Sequence, residues 1–520
     1  MKKRGLFFTG LCVFILLVLL MIFFETTGPD SRVENIGEAV WYTLIPLTTV
    51  GYDSFPSTTG GRIVGAFFAI FSLGILTYLL SFCVSEFKGK ILPLSRLLFL
   101  KKLEWFVFSE TTDATITLAK NILKEYPGSV VIFCGVASKE EWFDQDLEGE
   151  NVFCVSFLAD YLVKKKKGCN VFFLSDDISE NEKRASRIKH EPCEIYCKTE
   201  KDIFEDNGNV HFFDLDETIA RTFWRKNPVL NSETNILIVG DGKIPETILE
   251  KAILTNVYGK GHKINYYVFT SSDHFENLHY ELKNCMDIFH EEVGNTDSDK
   301  DAIIFIKSPW QKAVSVIKSA HRIVFCDDNC DKNLDNLAEL NKFFVHFSKV
   351  YVHADVAGGN AVSFGTNEEL FTSENVMKKT IDMLAYRMNE NYRAAELKKG
   401  HVAPEWKDLS TFIKVSNISA ADHLYVKTRI LLGTDTEYKE RFSDAFNVYK
   451  DLSEEKRMEL RELEHERWLR LHYLYNFRFA TVRNDDMREH PSMVPFNELS
   501  MENKLKDDYA WYLLKELAND

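Results

Sequence analysis

The sequence predicts a membrane portion of two helical spans with a re-entrant loop between them, followed by two α/β lobes and a mainly α-helical C-terminal domain. Three observations support this fold class. Two long uncharged runs lie near the N-terminus, short apolar runs alternate with helical stretches from Leu103 onward, and this alternation restarts near residue 234. A chain of 520 residues is long enough for several such domains.

The two uncharged runs are Leu6–Phe24, which has 19 residues, and Ile63–Val84. About 20 apolar residues are enough to cross a bilayer. Lys and Arg residues flank both runs on their outer sides, and the positive-inside rule therefore places both termini in the cytoplasm. We expect a multi-pass protein of the plasma (inner) membrane.

The segment between the spans contains Ala39–Ile45, which is too short to cross a membrane and is typical of a re-entrant helix. Non-helical backbone at membrane depth survives only where protein or a water-filled cavity covers it. A short helix followed by Thr-Thr-Val-Gly-Tyr, residues 48–52, resembles the pore loop of potassium channels. In that family four such loops line one pore, and backbone carbonyls replace the hydration shell of the ion.

This resemblance implies a homotetramer with potassium as the permeant ion. Its selectivity filter would comprise Thr48, Thr49, Val50, Gly51, Tyr52 and Asp53. Trp41 and Tyr42 match the aromatic pair that supports the filter from behind. Gly74 lies near the hinge glycine of the family's second helix, with close helix packing as the alternative interpretation.

One departure from the family pattern concerns the outer end of the filter. The family pattern is Gly-Tyr-Gly-Asp-x-x-Pro, whereas here Tyr52 is followed directly by Asp53, with Pro56 three residues further on. The second glycine is therefore deleted rather than replaced. A weakly selective cation channel is the alternative that this departure leaves open.

The body of the chain alternates strands with helices, which is typical of βαβ units and parallel sheets. Two Rossmann-like lobes in tandem are therefore expected. The predicted strands of the first lobe are Trp105–Phe108, Val130–Phe133, Asn151–Val155, Val171–Leu174, Glu194–Cys197 and Val210–Phe213, and those of the second are Ile236–Val239, Ile264–Phe269, Ile303–Ile306, Ile323–Phe325 and Val350–Val352.

Two such lobes behind a pore resemble RCK domains (regulators of potassium conductance). The segments Ala320–Leu340 and Val362–Val376 are similar to the later strands and helix of that family. The resemblance implies a ring of eight lobes in a tetramer that couples ligand binding to the pore.

Nucleotide binding by the lobes depends on their first strand–helix turns. The turn of lobe one, within Phe108–Ala119, contains no glycine and is interpreted as structural. Lobe two has Gly240 and Gly242 but Pro245 at the third glycine position, so it is a candidate nucleotide loop, with a packing turn as the alternative. The acidic pair Asp327-Asp328 is expected to cap the helix that follows it.

The C-terminal strings SNISAADHLYVKTRI, LRELEHERWLRLHYLYNFRFA and REHPSMVPFNEL resemble the RyR domain, the module repeated in ryanodine receptors. Arginines around an aromatic ring suit a ligand that carries a base or a phosphate. The alternative is an amphipathic helix whose arginines pair with Glu462, Glu464 and Glu466. The candidate ligand site consists of Asn417, Asp422, His465, Arg467, Trp468 and Arg483.

Together these features predict a ligand-gated potassium-selective channel, with a membrane-anchored nucleotide sensor around a non-conducting pore as the alternative from another class. The predicted ligand is a small anion, with a nucleotide as the first candidate. No enzymatic activity, catalytic cofactor or metal site is predicted, and the net charge of −15 argues against nucleic acid as a partner. The predicted domains are 1–87 (pore), 88–231 and 232–395 (lobes) and 396–520 (RyR-like).

Overall fold

The structure, a computed structural model, describes residues 2–27, 37–38, 41, 56–67, 77, 80–81, 84, 92–135, 147, 151–155, 158–164, 166–200, 208–259, 261–291, 298–344, 348–433 and 441–517. These residues belong to two compact units. The first comprises Met1–Lys102, Gly135–Gln145 and Phe153–Leu158, and the second comprises Leu103–Cys134, Asp146–Val152 and Ala159–Asp520. The predicted filter residues 48–53, Tyr42 and Gly74 lie outside the described residues.

Within Met1–Lys102 of the first unit, most of the described residues are helical. This part contains α1 (Lys2–Thr27), a helical segment at residues 59–67, and α2 (Leu92–Phe99). Side chains of α1 are described from residue 13 onward, except at residue 14. Over the residues that the structure describes, no helix provides a stretch long and apolar enough to cross a membrane.

Lobe one is built on a six-stranded sheet with the order β3-β2-β1-β4-β5-β6, which is the order of a doubly wound Rossmann fold, and its strands other than β3 lie in the second unit. The paired strands are parallel, and most of their residues are buried because helices cover both faces. The elements are β1 (Trp105–Phe108), α3 (Asp113–Glu125), β2 (Val130–Cys134), β3 (Val152–Val155), α4 (Ala159–Leu162), β4 (Cys169–Phe173), α5 (Ile178–Ile188), β5 (Glu194–Thr199), β6 (Val210–Asp214) and α6 (Leu215–Lys226).

Lobe two has a seven-stranded parallel sheet with the order β13-β12-β11-β7-β8-β10-β9. It repeats the doubly wound order and adds one edge strand, β9, beside β10. The elements are β7 (Asn235–Val239), α7 (Lys243–Thr255), β8 (Asn265–Phe269), α8 (His274–Leu278), β9 (Asp287–His290), β10 (Ala302–Ile306), α9 (Val314–Ser319), β11 (Arg322–Phe325), α10 (Cys330–Phe343), β12 (Lys349–His353), β13 (Val362–Phe364), α11 (Asn367–Leu370) and α12 (Ser373–Val376).

The rest of the second unit is mainly helical and packs around a core that includes Leu424, Leu463 and Trp511. Serine side chains begin the two long central helices, because Ser410 and Ser453 each accept a hydrogen bond from the third amide that follows. The elements are α13 (Thr380–Lys398), α14 (Thr411–Leu432), α15 (Phe442–Asp451), α16 (Glu454–Leu474), β14 (Arg478–Phe479), β15 (Glu489–His490), α17 (Met501–Lys506), α18 (Asp508–Tyr512) and α19 (Leu514–Leu517).

Candidate functional site

In the first unit, the end of α1 is tied to the start of the helical segment at residues 59–67 by the Glu25 carboxylate. This group accepts hydrogen bonds from the amide (3.2 Å) and hydroxyl (2.8 Å) of Ser57, and from the amide (3.0 Å) and hydroxyl (2.7 Å) of Thr58. A Cβ atom at Gly61 would lie 2.0 Å from a Glu25 oxygen, so the glycine makes this close approach possible. Glu25 was not among the predicted site residues, although an acid directly after a long apolar run was the available signal.

In lobe one, a carboxylate fills the crevice between β1 and β4, where a Rossmann fold would bind its ligand. Glu110 follows β1, and its Oε1 accepts a hydrogen bond from the Leu174 amide at the end of β4 at 2.9 Å. Burial raises the pKa of Glu110, against the attraction of Arg184 and Lys198. Thr112, rather than a glycine turn, caps α3 in a capping box with Thr115.

In lobe two, the corresponding position is filled by Asp328, which follows β11. Its two oxygens accept hydrogen bonds from the Lys243 amide at 2.9 Å and the Ile244 amide at 2.8 Å, the first amides of α7. A helix N-terminus of this kind is where a phosphate binds in dinucleotide-binding folds. The internal carboxylate of Asp328 therefore holds the place that a phosphate would take.

The two glycines of this loop allow the protein chain itself to approach. A Cβ atom at Gly240 would lie 2.4 Å from the Asp327 amide nitrogen, and one at Gly242 would lie 2.1 Å from an Asp328 oxygen. The Asp327 carboxylate in turn accepts a hydrogen bond from the Asp241 amide at 3.1 Å. The packing-turn interpretation thus accounts for both glycines in this conformation.

The expectation that Asp327 and Asp328 cap the helix that follows them is wrong. Asn329 caps α10, because its side chain accepts a hydrogen bond from the Asp331 amide. Asp328 instead caps α7, which lies 84 or 85 residues earlier in the chain. Sequence proximity favoured the local cap, and the parallel pairing of β7 with β11 brings the distant helix within reach.

The C-terminal helices line an open cavity of about 600 Å³, a volume typical of small-molecule sites. Its wall combines aromatic rings with charged groups of both signs. The lining residues are Met388, Tyr392, Glu396, Lys399, His401, Ser416, Asn417, Ala420, Glu464, Arg467, Trp468, Glu502, Leu505, Lys506, Asp507, Tyr509 and Ala510.

The inner wall of this cavity contains a buried ionic network centred on Glu464. Arg467 lies 2.7 Å and Lys427 lies 2.6 Å from its oxygens, and Arg467 also donates to the Ser419 hydroxyl at 2.9 Å. Burial would raise the pKa of Glu464, but Arg467 and Lys427 together hold it well below its usual value. Burial lowers the pKa of Lys427 to about 8 and that of His423 to about 4.

Asp507 is the wall residue that the network leaves unsatisfied. Its Oδ2 atom is buried and has no hydrogen-bond partner among the described residues. Burial raises the pKa of this carboxyl to about 8, with a further contribution from the Glu464 carboxylate. Asp507 was not predicted, because an acid in a polar stretch gives no sign of burial.

The structure brings three of the six predicted ligand-site residues together, since Asn417, Arg467 and Trp468 all line the cavity. The Trp468 ring also lies against three histidine rings, with centroid distances of 5.6 Å to His465, 3.6 Å to His472 and 4.9 Å to His490. These contacts occupy ring surface that the sequence analysis assigned to stacking with a ligand.

The other three predicted residues have protein partners. Asp422 is buried against Arg221 (2.7 Å) and Arg225 of α6. His465 is bonded through Nε2 to the Val494 carbonyl at 2.8 Å, and the exposed Arg483 pairs with Asp485 at 2.7 Å.

Buried polar contacts fix the C-terminal helices to both lobes. Asp422 makes the link to lobe one described above. Arg470 pairs with Asp301 at 2.7 Å, and His423 Nε2 is 2.9 Å from the Val257 carbonyl, so both connect to lobe two. Arg470 also pairs with Glu466, and Arg467 with Glu464, as the amphipathic-helix interpretation predicts. Within the described residues, no cluster of His, Cys, Asp and Glu is arranged to hold a metal ion.

Comparison with known proteins concerns the N-terminal segment. A family model described as "Ion channel" matches residues 10–88. The chain is 39% identical over 79 residues to potassium voltage-gated channel subfamily A member 2 of Oncorhynchus mykiss, covering 15% of this chain and 16% of the relative. It is 38% identical over 79 residues to subfamily A member 6 of Homo sapiens, covering 15% of each. The chain thus spans about one sixth of the length of these relatives.

Among solved structures, a chain named "GsuK Channel" is similar at 12% sequence identity with a TM-score of 0.29. The similarity covers 71% of this chain and 97% of that one. Residues 10–88 match the ion-channel family model, and the described residues contain two doubly wound parallel sheets.

Proposed function

We propose that four copies of this chain form a potassium-selective channel whose opening is controlled by a ligand in the C-terminal cavity. The observation that carries the proposal is the ion-channel match over residues 10–88, with relatives that are potassium channels. A single pore loop does not surround an ion, so four subunits must meet around one axis. The location that we propose for this channel is the plasma (inner) membrane, with both termini in the cytoplasm.

Conduction is assigned to the segment Thr48–Asp53. Carbonyl groups of successive residues replace the hydration shell of potassium, and Gly51 permits the backbone conformation that directs them inward. Trp41 and Tyr42 support this segment, and Gly74 is the hinge of the second span. The outer glycine of the family pattern is deleted, so Asp53 follows Tyr52 directly, and aspartate tolerates left-handed φ better than most residues do.

Ligand control is assigned to the cavity rather than to the glycine loops. Asp328 occupies the phosphate position of lobe two, and in lobe one Thr112 caps the first helix where a glycine turn would be, which supports this choice. Lys399 and Lys506 supply positive charge at the exposed part of the cavity wall, where an anionic ligand such as a nucleotide would compete with their partners Glu396 and Glu502.

Gating requires that the ligand bind one channel state better than the other. The buried contacts of Asp422 with α6, and of Arg470 and His423 with lobe two, provide a rigid connection from the cavity helices to both lobes. A displacement of α14 or α16 on ligand binding would therefore move the lobes as well.

Potassium flux into liposomes that contain the purified tetramer tests the proposal. We expect potassium to enter faster than sodium, Gly51→Ala to abolish the selective flux, and Trp468→Ala to remove the response to nucleotide while tetramers still form. Equal potassium and sodium fluxes would favour the weakly selective cation channel. The absence of any flux, with nucleotide still bound, would favour the membrane-anchored sensor.

A further inference from the structure

We propose that Asp507 recognises the ligand in the cavity through two adjacent groups of the ligand, one a hydrogen-bond donor and the other an acceptor. The amino group and the neighbouring ring nitrogen of an aminopurine are such a pair. This inference rests on the proposed function and specifies the chemistry of its ligand. It places the base of a nucleotide against the inner wall of the cavity and the phosphate at the exposed part of the wall.

The geometry at Asp507 is the first argument. The residue lies between α17 and α18, lines the cavity, and has a buried Oδ2 atom with no partner among the described residues. Burying a polar atom without a hydrogen bond costs free energy, so such atoms in native proteins normally have a partner or a function. This oxygen has almost no accessible surface, so a ligand reaches it once the carboxyl turns toward the cavity, and a hydrogen bond donated to it there removes that cost.

The protonation state of Asp507 defines which ligand edge fits. Burial, helped by the Glu464 and Asp508 carboxylates, raises its pKa to about 8, and Arg467 and Lys427 act in the opposite direction. At pH 7 the group is therefore a neutral acid with one O–H donor and one carbonyl acceptor. Asn417, which lines the same cavity, also presents a donor and an acceptor.

The charge distribution of the wall orients the ligand. On the inner wall, Arg467 and Lys427 are already paired with the Glu464 carboxylate. These two cations are therefore not available to bind a phosphate. Lys399 and Lys506 have exposed side chains, and each is paired with a carboxylate that also lines the cavity, Glu396 at 2.7 Å and Glu502 at 4.0 Å. Exposed ion pairs of this kind are weak, so an anionic group of the ligand can replace these carboxylates beside the two lysines, and an uncharged heterocycle fits beside Asp507.

Binding of two matched probes to the full-length tetramer tests this inference. Adenosine 5′-monophosphate carries the amino group, and purine riboside 5′-monophosphate lacks it without adding bulk. At pH 7 we expect the first to bind roughly tenfold more tightly, the value of one well-placed hydrogen bond. Asp507→Ala should remove this difference, whereas Asp507→Asn, which keeps a donor and an acceptor, should retain it.

The pH dependence provides a second readout. Between pH 7 and pH 9 the affinity of the wild-type protein for adenosine 5′-monophosphate should fall about tenfold, because the carboxyl loses its donor. Lys427 also titrates near pH 8 but is present in Asp507→Asn, so the comparison of the two proteins isolates Asp507.

Equal affinity for the two probes in the wild-type protein, an unchanged difference in Asp507→Ala, or no binding of either probe would overturn the inference. None of these outcomes concerns conduction, which is measured separately as potassium flux. Failure of this inference is therefore distinguishable from failure of the proposed channel.

Discussion

Replacing Asp328 by alanine tests whether an internal carboxylate holds the phosphate position of lobe two. The substitution removes the acceptor of the Lys243 and Ile244 amides. Loss of a helix cap costs about 1 kcal/mol, and loss of a carboxylate at a helix N-terminus costs roughly 0.3–1 kcal/mol more at an exposed position. The sum of about 1–2 kcal/mol corresponds to roughly 5–30-fold more frequent opening of the first turn of α7.

Hydrogen exchange of the peptide that contains Lys243 and Ile244, followed by mass spectrometry, measures this opening. We expect exchange to accelerate in Asp328→Ala and to stay unchanged in the control Asp335→Ala, which removes an exposed acid from α10. Inorganic phosphate should slow exchange again in Asp328→Ala only, because the freed amides then bind the anion. Unchanged exchange in Asp328→Ala would refute the assignment.

Three further outcomes are expected from substitutions elsewhere. Asp422→Asn leaves Arg221 and Arg225 without their buried partner and should lower the free energy of unfolding by about 3–5 kcal/mol, measured by denaturation against the exposed control Asp444→Asn. Glu25→Gln should lower the melting temperature of the detergent-solubilised tetramer, because an amide nitrogen then faces the donors of Ser57 and Thr58. The control substitution Thr27→Val, at an exposed position, should leave the melting temperature unchanged. The stability of the wild-type protein should decline between pH 6 and pH 8. In the folded protein the pKa of Asp507 is raised to about 8, so the folded state retains a proton that the unfolded chain has released. Stability should depend less on pH in Asp507→Asn.

The strands could be predicted from the sequence because parallel strands are buried on both faces. Continuous apolar runs such as Trp105–Phe108 and Ile303–Ile306 fall within observed strands. The edge strand β9 was missed because its sequence, Asp-Ile-Phe-His, has polar residues at both ends and no residue in it is fully buried. Its pairing with β10 supplies the strand conformation that the local sequence does not specify.

The candidate site was predictable only in part, because its geometry depends on contacts between distant segments. Trp468 and Arg467 stand out in one helix, and Asn417 lies in the helix packed against it. Asp422 looks similar in sequence, yet it pairs with arginines about 200 residues earlier. Nothing in the sequence around Asp507 or Asp328 indicates which distant groups surround it.

The reversal potential of single channels, with potassium on one side of a planar bilayer and sodium on the other, measures both potassium selectivity and its control by the cavity. With adenosine 5′-monophosphate added on the cytoplasmic side, we expect currents that reverse far from zero, in the direction set by potassium. A reversal potential at zero would contradict potassium selectivity, and currents unaffected by the nucleotide would contradict its control by the cavity.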